Sequence, residues 1–235
     1  MASELIFALK NGGSQAVVTI DGPAGAGKST TARALATRLG YSFLDTGALY
    51  RTVALMARRR DVDWNDGPGM GALASRLLIE LAPGEAGSRV LVDGVEVTND
   101  IRHPEISQGA SRVSALPEVR AALLGLQQTI GARGRVVAEG RDTGTVVFPA
   151  AFAKFFLTAT AEERARRRAV ELEAQGRPVV FAEVLAELEQ RDARDSGRAV
   201  APLKRADDAV EIVTDGMGPE EVVTRMEDIV RKRGG

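Results

Sequence analysis

Residues 16–31 read AVVTIDGPAGAGKSTT, and this stretch constrains the chain more than any other. A β-branched run, Val17, Val18, Thr19 and Ile20, ends at Asp21 and gives way to a Gly- and Ala-rich loop that leads into a helix. Within it, Gly22-Pro23-Ala24-Gly25-Ala26-Gly27-Lys28-Ser29 fits the pattern G-x-x-x-x-G-K-[ST] in full. Glycines let backbone N–H groups turn inward around phosphate oxygens, and the N-terminus of the following helix adds positive potential. Lys28 is placed to reach β- and γ-phosphates, and the Ser29 hydroxyl is a candidate Mg²⁺ ligand. A readable strand before the loop and a helix after it separate a phosphate loop from a merely tight turn.

The bulk properties remove several classes. With 235 residues the chain makes one large domain or two small ones and can bury a sizeable core. A formal net charge of −1 argues against a general nucleic-acid binder. The absence of cysteine excludes disulfides and thiolate metal sites, and a single histidine, His103, leaves no Ser–His triad or multi-His centre. No apolar stretch approaches the ~20 residues of a membrane span. Residues 1–13, MASELIFALKNGG, carry an apolar patch without the charged start or cleavage site of a signal peptide, and read as a tail. A cytoplasmic location is expected.

After the loop, Ala32, Leu35, Ala36 and Leu39 fall on one helical face that Gly40 closes. Ser42–Asp45 reads as a strand, followed by a helix through Tyr50, Arg51, Val53 and Met56. This βαβα opening predicts a parallel sheet with ligands at the strand C-termini. Residues 61–71, DVDWNDGPGMG, read as a linker. Two alternating segments, Arg89–Val92 and Val95–Thr98, then flank Asp93-Gly94, a hairpin signal that does not belong inside a parallel sheet. Residues 72–130 are therefore read as an insertion with its own antiparallel strands and helices, its last helix starting near Pro117 and presenting Val119, Leu123, Leu126 and Ile130.

The parallel pattern resumes with strands at 135–139, 155–158 and 210–214, and a closing helix from Pro219 turns Val222, Met226, Ile229 and Val230 inward. The expected fold class is thus α/β: a five-stranded parallel sheet with helices on both faces, an inserted antiparallel hairpin unit and a helical pair between the last two strands. In that pair, 161–176 and about 181–195, an apolar stripe of Phe181, Val184, Leu185 and Leu188 continues at helical spacing into Arg191, Asp195 and, if the helix extends, Arg198. Such charges are either solvated beyond the core or lean over an anionic cleft as a mobile lid; the phosphate loop favours the lid.

Three phosphate-loop classes compete. A GTPase switch needs Asn-Lys-x-Asp, and no Asn-Lys pair occurs. A DNA-handling or transport ATPase usually has a longer core and an oligomeric setting, which nothing here demands. A small-molecule kinase needs a second anionic site, and Asp45-Thr46-Gly47 and Gly140-Arg141-Asp142 both follow predicted strand ends on the phosphate-loop edge, with Arg51 just over one turn into the next helix. A phosphate-loop binding or regulatory module is the alternative outside kinases.

Taken together, IDGPAGAGKST, FLDTGALYR, VTNDIR, ASRVSALPEVR, EGRDTGTVVFP and RDARDSGRAVAPL, spread over residues 20–203, resemble the bacterial cytidylate kinases, members of the nucleoside monophosphate kinase family. The resemblance implies a P-loop kinase of one domain, residues 14–235, with its core in 14–71, 131–160 and 204–235, the hairpin insertion 72–130 binding the nucleoside monophosphate, and a lid at 161–203. It implies Mg²⁺-dependent transfer of the ATP γ-phosphoryl group to CMP or dCMP, with a broader UMP/CMP or other monophosphate kinase as the alternative. Gly22, Pro23, Ala24, Gly25, Ala26, Gly27, Lys28, Ser29 and Thr30 would wrap the ATP phosphates, Ser29 on the metal.

Lys28, Arg141 and Arg198 would be catalytic. Arg51, Arg141 and Arg198 would hold the acceptor phosphate, and Ser111, Arg120 and Asp142 would read cytosine. Asp195 would meet the ribose, and Thr46, where some relatives carry serine, would line the acceptor pocket. Arg164 and Arg168 resemble lid arginines over the donor, though in so Arg-rich a chain they could equally be solvated; Arg191 or Arg194 would add charge at the moving group. Glu139 would orient the metal's water shell or only cap its strand. A monomer is expected, with nucleotides as its partners and neither nucleic acid nor membrane.

Overall fold

A computed structural model describes residues 16–84 and 87–234; the tail 1–13 lies outside the described residues. Five strands form one parallel sheet: β1 (Val17–Asp21), β2 (Ser42–Asp45), β6 (Val136–Gly140), β7 (Ala153–Thr158) and β8 (Val210–Val213), in the order β2-β6-β1-β7-β8. Every residue of β1 and β6 is buried, as expected of central strands covered on both faces.

Side-chain alternation divides the two faces. Val18, Ile20, Val137, Phe155, Leu157 and Ile212 pack against Leu35 of α1 (Lys28–Leu39) and Val222, Met226 and Val230 of α8 (Pro219–Lys232). Leu44, Val136 and Ala138 face the other way, towards Leu81, Ile130 and Phe148. Each fully buried Val, Leu, Ile, Phe or Met among them contributes about 1.5–3 kcal/mol, so the sheet is a rigid base for its own edge. In-register pairing sets Asp21 beside Gly140 and Asp45 beside Glu139. Three strand C-termini therefore end level at that edge, and the phosphate loop, Thr46 and Arg141 all leave from it.

The hairpin unit is a three-stranded antiparallel sheet, β3 (Ile79–Gly84), β4 (Gly87–Val92) and β5 (Val95–Glu96), turning at Asp93-Gly94 with positive φ at both residues. It shares a core with α2 (Thr46–Arg59), α3 (Gly67–Arg76), α4 (Pro104–Val113) and α5 (Pro117–Gly131), in which Leu49, Met70, Ile101, Ile106 and Leu123 are fully buried. The 61–71 segment differs from the linker expectation. Asp66 accepts a hydrogen bond from Gly69 N, Pro68 occupies the first turn, and α3 begins at Gly67 despite its glycines.

The last two helices, α6 (Ala161–Ala174) and α7 (Phe181–Gly197), pair over a small core of Ala24, Ala165, Leu172, Val184 and Leu188. Phe181 departs from the expected stripe and is 45% exposed. The helix stops at Gly197, and Arg198 continues in extended backbone. Among the described residues no helix is long and apolar enough to cross a membrane.

Candidate active site

One cleft opens at the C-terminal edge of the parallel sheet, walled by the phosphate loop, the start of α2, α4 and the far end of α7. Gly22, Ala26 and Gly27 build the loop behind it. At Gly22 φ is +149° and an added Cβ would lie 2.0 Å from the Leu157 carbonyl oxygen, so only glycine lets the chain leave β1 here. Lys28 reaches back across the loop and donates to the Pro23 carbonyl at 2.5 Å. Burial, with Arg141 and Arg191 adding to it, pushes its ammonium well below the usual lysine range. A bound anion would oppose that shift.

Ser29 donates to Glu139 Oε2 at 2.8 Å, and Glu139 Oε1 is buried without a partner. Burial and the nearby Asp45 raise the Glu139 carboxyl to about 7, against the pull of Lys28 and Ser29. A hydroxyl and a carboxylate side by side, one carboxylate oxygen unspent, form a hard oxygen donor set that suits Mg²⁺ held mainly by phosphates. Among the described residues no cluster of three or more metal-ligating side chains occurs.

Four guanidinium groups converge on the opposite wall. Arg51 pairs with Asp45 at 2.6 Å, while Asp45 also caps α2 by accepting from Ala48 N. Arg141 donates to Asp195 at 2.8 Å, drawing the end of α7 onto the strand edge. Arg198 donates to the Asp195 and Ser114 carbonyls, both at 3.2 Å, and its Nη2 is buried without a partner. Arg191 is lowered to about 10 by burial and by Arg141, and its Nε also lacks a partner. Burial works against a charged Asp195, but Arg141, Arg191 and Arg198 outweigh it and hold the carboxyl below the usual range. Unsatisfied cationic donors gathered in a buried wall are suited to phosphate oxygens.

Deeper in the cleft Arg120 pairs with Asp142, donates to the Ser114 carbonyl at 3.1 Å and lies 5.6 Å from the centre of the Tyr50 ring. The two side chains are each 7% exposed and offer a donor and an acceptor side by side. Thr46 donates to the Glu139 carbonyl at 2.7 Å.

Of the residues singled out from the sequence, Ala24, Gly25, Lys28, Ser29, Thr46, Arg51, Arg120, Arg141, Asp142, Asp195 and Arg198 line this one cleft, as do Glu139 and Arg191. Ser111 does not: it is buried in α4 with its hydroxyl unpartnered, while Ser107 and Ser114, one turn to either side, reach the wall. Thr30 is exposed at the start of α1. Arg164 lies beneath the loop, donating to the Ala24 and Ala159 carbonyls and pairing with Asp192. Arg168 faces outward to Glu171, and among the described residues Arg194 donates only to the Gln190 carbonyl.

The α6 arginine beside the loop is Arg167, tied to Thr214 by bonds of 2.9 and 2.6 Å and 3.9 Å from where a Gly27 Cβ would be. It was not singled out, because four arginines between 164 and 168 look alike until packing selects one. Tyr50 and Ser114 were also passed over, and Asp45 was noted only as part of the strand-end stretch Asp45-Thr46-Gly47. Asp45 carried a signal, an N-cap residue directly before the α2 segment.

Comparison with known proteins extends this geometry. A family model described as cytidylate kinase matches residues 18–232. A cytidylate kinase of Geobacter sulfurreducens is 50% identical over 217 residues, covering 92% of this chain and 93% of that one. One of Syntrophotalea carbinolica is 49% identical over 219 residues, covering 93% of each. A bifunctional pantoate ligase/cytidylate kinase of Prochlorococcus marinus is 49% identical over 92% of this chain, which spans only 45% of that longer protein. Among solved structures, an uncharacterized protein from Eubacterium ventriosum aligns with a TM-score of 0.53 at 10% identity over 93% of this chain and 99% of its own, a likeness of fold alone.

Proposed function

The chain belongs to the cytidylate kinase family, and on that premise we propose that it transfers the γ-phosphoryl group of ATP to the 5′-phosphate of CMP or dCMP. The observation that carries this reading is the convergence of Lys28 of the phosphate loop with Arg51, Arg141, Arg191 and Arg198 on one cleft. A single nucleotide needs no such facing wall of cations; two nucleotides meeting by their phosphates do.

An oxygen of the CMP phosphate attacks the γ-phosphorus in line, forming the new P–O bond as the bond to the β–γ bridging oxygen breaks, and ADP leaves. The nucleophile is already an anion, so no general base is needed. Lys28, released from Pro23, spans the β- and γ-phosphates, and Arg141, Arg191 and Arg198 stabilise the charge spread over the group in flight. Ser29 and Glu139 would hold Mg²⁺, which neutralises the donor phosphates when bound. Arg51, with Arg141 and Arg198, grips the acceptor phosphate.

Asp142 accepts from the cytosine N4 amino group and Arg120 donates to O2 or N3, the edge pattern that separates cytosine from uracil; Ser111 supports that pocket from behind. Asp195 meets the ribose and Thr46 lines the pocket. Residues 72–130 serve as the acceptor-binding insertion and 161–203 as a lid whose closure excludes water, so that ATP is not hydrolysed. The protein acts as a cytoplasmic monomer.

A coupled ADP-release assay with CMP, dCMP, UMP and AMP tests the reading. Fast ADP formation with the two cytidine nucleotides is expected, and at least about ten-fold less with UMP, since a donor–acceptor mismatch at one base edge is worth ~1–3 kcal/mol. Equal rates with all four would replace it with a broad monophosphate kinase, and ADP formation indifferent to any acceptor would reject a kinase altogether.

A further inference from the structure

Asp21 takes no part in the chemistry above, yet it is a buried carboxylate directly beneath the phosphate loop. It is the last residue of β1, directly before Gly22, and only 4% exposed. Its two oxygens accept three hydrogen bonds, all from the segment after Asp142. Oδ1 takes Thr143 N at 2.9 Å and Thr143 Oγ1 at 2.7 Å, and Oδ2 takes Gly144 N at 2.7 Å.

That segment, Thr143–Val147, is one turn of π-helix, a rare conformation that recurs at functional sites. In its ladder Val146 N and Val147 N bond to the Asp142 carbonyl and Phe148 N to the Thr143 carbonyl, which leaves Thr143 N and Gly144 N without acceptors inside the turn. Asp21 supplies both from a neighbouring strand, as an N-cap does from within a helix. Space is equally tight. An added Cβ at Gly144 would lie 2.9 Å from Thr19 Oγ1 and 3.4 Å from Asp21 Oδ2, so the turn is seated against β1 with no room for a side chain. Asp142, which begins the turn, sits at φ −142° and ψ 21°, outside both helix and strand, and its carboxylate meets Arg120.

We propose that Asp21 is a positioning residue for the acceptor base: by capping the turn after Asp142 it fixes the direction of the Asp142 carboxylate, tying the strand that carries the ATP loop to the pocket that reads cytosine. The proposal rests on Asp142 reading the base. Asp21→Asn keeps shape and one acceptor but sets an NH₂ against the N–H of Gly144. Loss of a charge-assisted hydrogen bond in a buried site is worth about ten-fold or more. The expected result is a rise of at least about ten-fold in KM for CMP and a matching fall in CMP/UMP selectivity, with KM for ATP within about two-fold.

Thr143 supplies a second, milder probe should Asp21→Asn fail to fold. Thr143→Val, which removes one donor, should shift CMP KM in the same direction, and Thr143→Ser, which keeps it, should restore the wild-type value. Parallel rises in KM for both nucleotides would show that Asp21 only supports the phosphate loop and would overturn the proposal, as would unchanged CMP KM and selectivity in Asp21→Asn or, if that variant is unfolded, in Thr143→Val. Asp142→Asn, measured alongside, separates the two ideas. If it alters selectivity and Asp21→Asn does not, only the positioning role falls; if it leaves selectivity unchanged, the base-reading role falls and takes this proposal with it.

Discussion

Three of the cations that face the cleft are each held by a carboxylate: Arg51 by Asp45, Arg141 by Asp195 and Arg120 by Asp142. Guanidinium groups preset in this way lose little freedom when phosphate arrives. Arg141 joins the sheet edge to α7, so its loss should remove charge stabilisation without opening the core. Arg141→Ala is expected to lower kcat/KM by about 10²–10³-fold or more, with an unchanged circular dichroism spectrum and melting temperature within a few degrees. Near-normal turnover would exclude it from the site.

Glu139 makes a separate prediction. Its carboxyl, ordinarily near 4.5, is raised to about 7 by burial and by Asp45. In that window the folded protein keeps a proton that the unfolded chain has released, so the stability this group contributes is present at low pH and is lost as pH rises through about 7. Between pH 5 and 8 the wild-type chain should therefore lose about 3 °C or more of melting temperature beyond what Glu139→Gln loses. An equal pH response in the two would refute a raised Glu139. The motif residues themselves were legible from sequence because spacing carries their chemistry: Lys28 and Ser29 follow from the loop, Arg141 and Asp142 from a strand end. Arg167 and Asp21 were not, since their roles arise from neighbours 47 and 122 residues away in sequence.

At the scale of elements, periodicity and turn residues located the five parallel strands, the hairpin at Asp93-Gly94 and the helix from Pro117. What they missed is instructive. In α3 the sequence GPGMGALASR has poor helix propensity, and it is helical because Met70 and Leu73 bury against α2 and α5 while Asp66 caps the start. Tertiary packing overrode local preference there, and no one-dimensional pattern reports that. The α6–α7 pair has the opposite character: its packing is thin, a five-residue core with Phe181, Val180 and Val170 exposed. Thin packing makes it the part that opens first. Leu188→Ala removes one of the few side chains in that core. It should speed amide hydrogen exchange across residues 161–197 by about ten-fold or more, as a cavity of ~2 kcal/mol or more implies, while β1, β6 and β7 keep their protection. Uniform acceleration over the sheet as well would mean that the pair is not a separate opening unit.

For the whole molecule, the parallel sheet sets the phosphate loop and the ends of β2 and β6 at one edge, the hairpin unit with α2–α5 closes one side, and α7 brings Asp195, with Arg198 just beyond it, across the top. The central claim is that donor and acceptor nucleotides lie head to head in this cleft, phosphates between Lys28 and the arginine wall. Calorimetric titration with adenosine and cytidine joined through five phosphates measures it directly. The account predicts binding at least about a hundred-fold tighter than ATP or CMP alone, since one ligand then fills both half-sites, with most of that gain lost in Arg141→Ala. A linked ligand that binds no tighter than ATP would mean that the two nucleotides do not share the cleft.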